Sequence, residues 1–203
     1  MTPLGQKMFN LNKPEGKFSL AFTNDPWKTC DPFGFPRAVL NETIGISFAQ
    51  MPGRVLQLFK YQKIWREIWT DGRQLPKNVG QRGGPDPRWY GYSIAHWDGD
   101  FTFVVETTGS DDRSWVDGDG YPHSIEANFE ERYTRVNHNT LDMTVTIDDP
   151  KMYTKPWLIA KNNFKWNPDQ EFEEQLCVPS EGIAYINTIG IPAGNSVGVA
   201  PSK

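Results

Sequence analysis

Most side chains that could carry out chemistry in this sequence lie in or near residues 117–135, DGDGYPHSIEANFEERYTR. Histidine changes charge near neutral pH, so His123 is a candidate general acid or base. Glu131 or Glu106 could orient it or act as its proton partner, and Arg132 could stabilise developing negative charge. These residues predict cofactor-free acid–base chemistry of the lyase, isomerase or hydratase type. The alternative is that His123 is a loop residue bonded to the backbone.

A second group of residues predicts a binding pocket for a small organic molecule. Tryptophan and tyrosine rings crowd the segments 64–70 and 88–97, with arginines among them. Aromatic rings with a few charged groups suit a sugar, a phenolic compound or a steroid- or terpenoid-like molecule. The candidate ligand-binding residues are Arg66, Trp69, Arg73, Tyr90, Tyr92, Trp97 and Arg135. Three alternatives stay open: a non-catalytic carrier, a carbohydrate-binding module with exposed tryptophans, and a structural protein whose interior is filled by side chains.

Metal-binding patterns are weak. The three histidines have neither H-x-H nor H-E-x-x-H spacing, which argues against zinc. The stretch DDRSWVDGDG offers four aspartates, but it has no twelve-residue loop with a closing glutamate, so a solvated turn is favoured over calcium. These aspartates are Asp111, Asp112, Asp117 and Asp119. We expect neither a metal ion nor a cofactor.

Composition narrows the classes of partner. The chain has 203 residues and a formal net charge of −4, so nothing favours binding to nucleic acid. It has no apolar run long enough to span a membrane as a helix. The expected partner is a small molecule, and a second copy of the chain in a homodimer is an option. Whether the protein is an enzyme is left open.

Two cysteines, Cys30 and Cys177, lie near opposite ends of the chain. A disulfide between them is favoured over two free thiols, because both stand in turn-rich segments. Closing so long a loop could stabilise the fold by about 4–5 kcal/mol in the chain-entropy model. The pairing would indicate an oxidising compartment.

The hydrophobic pattern predicts an all-β fold. Two strands, Arg54–Lys60 and Ile64–Thr70, precede a hairpin around Asp98-Gly99, a dipeptide typical of type I′ turns. A further hairpin turns around residues 137–140. Shorter candidate strands are Arg37–Leu40, Ile44–Gln50 and Trp157–Phe164. The long connection from Gly72 to Arg88 is predicted to be a loop.

Consecutive hairpins favour an antiparallel, lipocalin-like (calycin-like) β-barrel of about eight to nine strands over a sandwich. We treat residues 1–203 as one such domain with N- and C-terminal extensions. A short helix is predicted after Thr2, with Pro3 at its first position, and another after Asn167.

The predicted strand 125–136 carries charge on both faces. Phe129, Glu131 and Tyr133 share one face, whereas Glu130 and Arg132 share the other. In a closed barrel, whichever face points inward takes charge with it. This favours an interior that is polar because it holds something, although exposed faces with cross-strand ion pairs are the simpler alternative.

The motifs TDGRQLP, RWYGYSIAHWDGDFTFVVETTG, WVDGDGYPHSIEANFEERYTR and VTIDDPKMYTKPW together resemble a large family of secreted proteins from soil and environmental bacteria. The resemblance covers roughly residues 24–177. It implies export behind a cleaved leader, and so a secreted or periplasmic location with the leader absent from this chain. The family has no settled activity, so no catalytic residue is carried over. The resemblance points to residues already named and adds Tyr153 as a candidate ligand-binding residue. One departure is Ala95-His96, where the family has glycine and a basic or polar residue.

Overall fold

The computed structural model describes residues 1–40 and 45–196, which form an eight-stranded sheet with short helices at both ends of the chain. The helices are α1 (Pro3–Leu11), a 3-10 helix (Pro26–Thr29), α2 (Arg37–Leu40), α3 (Pro179–Tyr185), a π-helical turn (Ile186–Gly190) and α4 (Ile191–Ser196). The strands are β1 (Ile46–Met51), β2 (Arg54–Phe59), β3 (Trp65–Trp69), β4 (Tyr92–Asp98), β5 (Thr102–Thr108), β6 (Asn128–Asn137), β7 (Thr140–Asp148) and β8 (Trp157–Lys165).

The strands lie in the sheet in their chain order, β1 to β8, and six of the seven neighbouring pairs are antiparallel. This confirms the predicted all-β, barrel-like class. The hairpin between β4 and β5 is present, but it turns through residues 99–101 because Asp98 still pairs with Thr102. Gly99 has a φ of 67°, whereas Asp98 has no positive φ, so the two-residue type I′ turn expected at Asp98-Gly99 is wrong.

One strand pair differs from the predicted antiparallel order. β3 and β4 are parallel and are joined at only two positions, Ile68↔Ser93 and Trp69↔Ile94. The chain between them follows residues 70–91, an irregular connection rather than a crossover helix. Parallel neighbours need a crossover connection of a dozen or more residues, usually a helix. Here a long loop provides the return path instead, so the expectation of an entirely antiparallel order is wrong.

The sheet curls strongly. Neighbouring strands lie about 4.8 Å apart, so β1 and β6 would be separated by roughly 24 Å in a flat sheet. Nevertheless, the ring centres of Phe48 in β1 and Tyr133 in β6 lie only 5.4 Å apart, which shows how strongly the sheet curls. Among the described strands β1 and β8 form no ladder with each other, so the structure is an open half-barrel made of one mixed sheet, not a sandwich.

The concave face of this sheet holds the core. It is lined by apolar side chains such as Phe129, Met143 and Val145, each at most 2% exposed. It also encloses charge, since Glu131 is 0% and Arg66 is 2% exposed. The prediction that strand 125–136 sends charge inward is confirmed, and the inward face is the one that carries Phe129 and Tyr133.

The helices agree only partly with the sequence. Helix α1 begins where predicted: the Thr2 hydroxyl accepts from Gly5 N at 3.0 Å, and Pro3 is its first residue. Arg37–Leu40 was predicted to be a strand but is helix α2. The helix predicted after Asn167 is absent, because residues 167–174 form turns and irregular backbone. For the predicted strand Ile44–Gln50, Ile44 lies outside the described residues.

Candidate functional site

The main cavity lies at the seam between β3 and β4. The two strands pair only at Ile68↔Ser93 and Trp69↔Ile94, and residues from β3, from 73–76 and from 88–94 line a cleft beside this short ladder. This cleft has a volume of about 630 Å³, within the range of roughly 300–1,000 Å³ that is usual for small-molecule sites. The cavity therefore lies beside the parallel pair that the sequence did not predict.

Aromatic rings and arginines form the cavity wall. Five predicted ligand-binding residues meet there: Arg66, Trp69, Arg73, Tyr90 and Tyr92. Trp65 and Trp89, two of the aromatic rings noted in the segments 64–70 and 88–97, also line it. The lining residues that the sequence did not indicate are Glu67, Gln74, Leu75, Pro76, Arg88, Gly91, Ser93 and Ile94. Arg88 could have been found from its place beside the aromatic run WYGY, but nothing in the sequence marks Leu75 or Pro76.

Exposed arginines cover two rings of the outer wall. The Arg73 guanidinium lies 3.4 Å from the centre of the Trp69 ring and is also hydrogen-bonded to Asp71. The Arg88 guanidinium lies 4.2 Å from the centre of the Tyr92 ring. Among the described residues no carboxylate forms an ion pair with Arg88, so the cavity mouth carries a positive charge that is available to a ligand.

Arg66 is a wall residue of the cavity and also belongs to a buried polar chain in the core, whose other members do not line the cavity. Arg66 Nη2 donates to both oxygens of Glu131, at 2.7 and 3.0 Å. The Tyr133 hydroxyl donates to Glu131 at 2.6 Å and accepts from Gln57 Nε2 at 2.9 Å. Burial and the Glu131 carboxylate hold the pKa of Tyr133 well above its ordinary value, so this hydroxyl remains a donor. Gln57 could have been suspected, since it stands between Val55 and Phe59 on an otherwise apolar strand face.

Tyr90 lines the cavity and also packs on the core. It stacks on Phe59 with ring centres 5.5 Å apart. Burial raises the pKa of the Tyr90 hydroxyl, a shift increased by Tyr61 and opposed by the Arg66 charge. Tyr90 therefore stays protonated at neutral pH and faces Arg66 as a neutral group.

His123 lies elsewhere, in a buried pocket of its own. It is 2% exposed, with Nε2 at 3.0 Å from the Ser114 hydroxyl and Nδ1 at 3.2 Å from the Ser124 carbonyl. A carbonyl can only accept, so Nδ1 carries the proton. Burial lowers the pKa of His123, although the Ser124 carbonyl and nearby aspartates, Asp149 first, oppose the shift. His123 does not line the main cavity, and this arrangement matches the loop histidine bonded to backbone.

The predicted catalytic group does not assemble. Glu131 points into the core, but Arg132 follows it on the convex face, where it pairs with Asp98 and lies 3.8 Å from Glu130. Glu106 is also exposed and stands opposite Glu130 in the β5–β6 ladder. The expectation that His123, Glu131, Glu106 and Arg132 converge is wrong, because strand alternation places adjacent residues on opposite faces.

The remaining predicted ligand residues lie apart from the main cavity. Trp97 and Arg135 line a second, shallow cleft of about 550 Å³ at the hairpin tips, together with Phe101 and His138. Tyr153 is 5% exposed, and its hydroxyl donates to the Pro122 carbonyl at 2.7 Å. Tyr153 therefore anchors the segment that carries His123.

A disulfide joins Cys30 and Cys177, as predicted. Among the described residues no group of three or more His, Cys, Asp or Glu side chains could hold a metal ion. Two of the aspartates considered for calcium have other roles: Asp111 pairs with Arg113, and Asp117 accepts from Asp119 N at 2.9 Å. Within the described part of the chain, no helix has the length and apolar character needed to cross a bilayer.

Comparison with models of known protein families, with curated proteins and with solved structures finds no match to this chain. The resemblance to secreted soil-bacterial proteins and the lipocalin-like comparison therefore stay predictions.

Proposed function

We propose that this protein binds a small organic molecule, of the sugar, phenolic or steroid/terpenoid-like kind, in the cleft between β3 and residues 88–94. The observation that carries the proposal is a cavity of about 630 Å³ whose wall combines aromatic rings with arginines. Aromatic side chains supply apolar contact area, and a few polar groups fix the orientation of a ligand. Secretion forms part of the proposal and is supported by the disulfide.

Conversion of the ligand is a separate question. The acid–base chemistry expected from the sequence stays a prediction, and the four residues selected for it are not the wall of this cavity. A catalytic role would fall to wall residues such as Tyr90 or Arg66. The binding proposal does not depend on turnover.

The test is a binding screen of aromatic acids, phenols, sterols and sugars by intrinsic tryptophan fluorescence and calorimetry. A ligand of the cavity should lose roughly fivefold in affinity on Trp65→Ala, because one aromatic contact is removed. Trp166→Ala is the matched control, since Trp65 is 60% and Trp166 is 63% exposed, yet Trp166 lies outside the cavity wall. Equal losses in both variants, or no ligand in the whole screen, would contradict the proposal.

A second candidate function is favoured by one observation at the hairpin tips. Trp97 and Phe101 are 57% and 64% exposed beside the second cleft, next to the polar groups of Asp100 and Asn137. Exposed rings with polar neighbours suit the apolar face and hydroxyls of a sugar. Binding of an oligosaccharide that is abolished by Trp97→Ala but unchanged by Trp65→Ala would favour this carbohydrate-binding function.

A further inference from the structure

Three arginines at or beside the main cavity stack on aromatic rings within the same local pattern, Asp-x-Arg. They are Arg73 on Trp69, Arg88 on Tyr92 and Arg113 on Trp89, with guanidinium-to-ring distances of 3.4, 4.2 and 4.4 Å. Two positions before them stand Asp71, Asp86 and Asp111. A guanidinium that stacks on a ring keeps its N–H groups in its own plane, where they can bind a planar acceptor at the edge.

In two of these stacks the aspartate occupies the edge of the guanidinium. Asp71 accepts from Nε and Nη2 of Arg73 at 2.9 and 2.6 Å, and it also accepts from the Arg73 backbone N–H at 3.2 Å. Asp111 binds Arg113 in the same way, at 2.9, 2.6 and 3.0 Å. The molecule therefore shows twice which group completes such a stack: a carboxylate held by two parallel hydrogen bonds.

The third stack, Arg88 on Tyr92, lacks this carboxylate. Among the described residues neither Asp86 nor any other acid forms an ion pair with Arg88. The backbone accounts for the difference, because the Arg88 N–H donates to the Gly109 carbonyl at 3.0 Å and is not available to Asp86. Pro87 also fixes the φ angle between the aspartate and the arginine. The edge of the Arg88 guanidinium is thus left to a carboxylate from elsewhere.

The charges of the cavity wall also single out Arg88. The other charged wall residues already have partners of opposite charge: Arg66 with Glu131, Glu67 with Arg54 and Arg73 with Asp71. Arg88 lines the cavity and is exposed, so a ligand can reach it. An anionic group would gain an ion pair there, whereas at Arg66 or Arg73 it would have to displace a carboxylate of the protein.

Arg88 is held in place before any ligand binds. Its backbone carbonyl accepts from Gly91 N at 3.0 Å and from Asp111 N at 2.9 Å, in addition to the bond that its N–H makes. Tyr92, on which the guanidinium stacks, is itself anchored by its hydroxyl, which donates to the Asp86 carbonyl at 2.7 Å. Because backbone and ring are both fixed, binding at Arg88 loses less conformational freedom than binding at a mobile surface arginine.

We propose that Arg88 is the anion-binding residue of the cavity, and that a ligand carboxylate takes the position on it that Asp71 takes on Arg73. The aromatic body of the ligand lies among the rings of the wall, and its carboxylate lies at the mouth. The ligand class is therefore an aromatic carboxylic acid. This inference rests on the proposed binding function and specifies its ligand.

The experiment compares indole-3-acetate with indole-3-acetamide, which has the same body without the charge. Calorimetry on the wild type should show that the acid binds roughly fivefold more tightly, since a bidentate ion pair is strong but is partly screened at an exposed site. Arg88→Gln should remove this preference. Arg88→Lys keeps the charge but loses the two parallel donors, so it should keep only part of the preference.

Arg113→Gln is the matched control. It also removes an arginine stacked on a ring, but this arginine already holds a carboxylate and lies outside the cavity wall, so the preference for the acid should persist. Circular dichroism checks that each variant is folded. If Arg88→Gln is not, the Nε–H resonance of Arg88 in the wild type replaces it: this signal should shift with the acid and not with the amide.

The outcomes separate the two proposals. If acid and amide bind the wild type equally, if Arg88→Gln keeps the preference, or if Arg113→Gln loses it as well, the carboxylate site is overturned and the binding function stands. The same follows if the wider screen yields only neutral ligands of the cavity. A full preference in Arg88→Lys would overturn the placement on two parallel hydrogen bonds. If neither these probes nor the wider screen yields a ligand that depends on Trp65, both proposals fail.

Discussion

Glu131 and Arg132 are neighbours in one strand, yet they belong to two different electrostatic environments. Glu131 lies in the core and is bonded to Arg66 and Tyr133, with its side chain 0% exposed. Arg132 lies on the convex face and pairs with Asp98, with side chains 39% and 58% exposed. Both are ion pairs between different elements of the sheet domain. If a partner is lost, water can solvate the remaining charge of the Arg132–Asp98 pair, but it cannot reach the remaining charge of the Arg66–Glu131 pair. Burial, and not the presence of a pair, therefore decides what each charge contributes to stability.

The largest expected effect comes from breaking the buried pair. Glu131→Ala should lower the free energy of unfolding by about 3–5 kcal/mol, because the Arg66 charge is left buried without its partner. Urea denaturation followed by circular dichroism measures this directly. Removing both charges, in Arg66→Met/Glu131→Leu, should restore much of the loss. A double variant as unstable as the single one would show that the pair itself, and not the uncompensated charge, is what matters.

A buried group that titrates should give an intermediate, pH-dependent effect. Burial lowers the pKa of His123, whereas the unfolded chain takes up a proton near the ordinary value of about 6.5. The free energy of unfolding should therefore be fully retained above pH ~6.5 and should fall as pH decreases toward the lowered native pKa. Denaturation series between pH 7.5 and 5 measure this slope.

His123→Gln should flatten that slope. Ser114→Ala is the matched control, since it removes the hydroxyl beside Nε2 but leaves a buried imidazole, so the slope should persist at lower overall stability. An unchanged slope in His123→Gln would show that another group causes the pH dependence of stability, and would contradict a lowered pKa of His123.

The smallest effect is expected on the convex face. Arg132→Ala should change the free energy of unfolding by less than about 1 kcal/mol, since exposed ion pairs are hydrated when separated and screened by salt. Both Arg132→Ala and Glu131→Ala should be measured at low and at high salt. The stability loss of Arg132→Ala should shrink with salt, whereas that of Glu131→Ala should not. A loss above 2 kcal/mol at Arg132 would contradict the difference drawn between the two faces.

Local signals in the sequence predicted much of the sheet. Alternation on β6 and β7 and the cap at Thr2 are each decided by residues within a few positions, and each appears where expected. The hairpin near Gly99 is also present, although its turn is one residue longer than expected. Arg37–Leu40 shows the limit of such signals. This short segment became a helix whose Arg37 pairs with Asp25, a contact made outside the segment itself.

The site was predictable only in part for the same reason. Residues near the seam, such as Trp69 and Tyr92, were found because their aromatic character is local information. The parallel pairing at the seam depends on how the connection 70–91 returns, and no short pattern encodes it. The sequence interpretation also grouped Glu106 and Arg132 with Glu131, although the register of β5 and β6 turns their side chains outward.

The disulfide gives the fold a mechanical property. Cys30 precedes β1 and Cys177 follows β8, so all eight strands lie inside one covalent ring with a sequence separation of 147. Tension applied to the two chain ends passes through the sulfur–sulfur bond and not through the strand ladders. Once the terminal segments are pulled free of their own contacts, such as that of Thr2 N with the Met152 carbonyl, the oxidised domain therefore acts as a short link of nearly fixed length. Further tension then loads the strand ladders only after reduction.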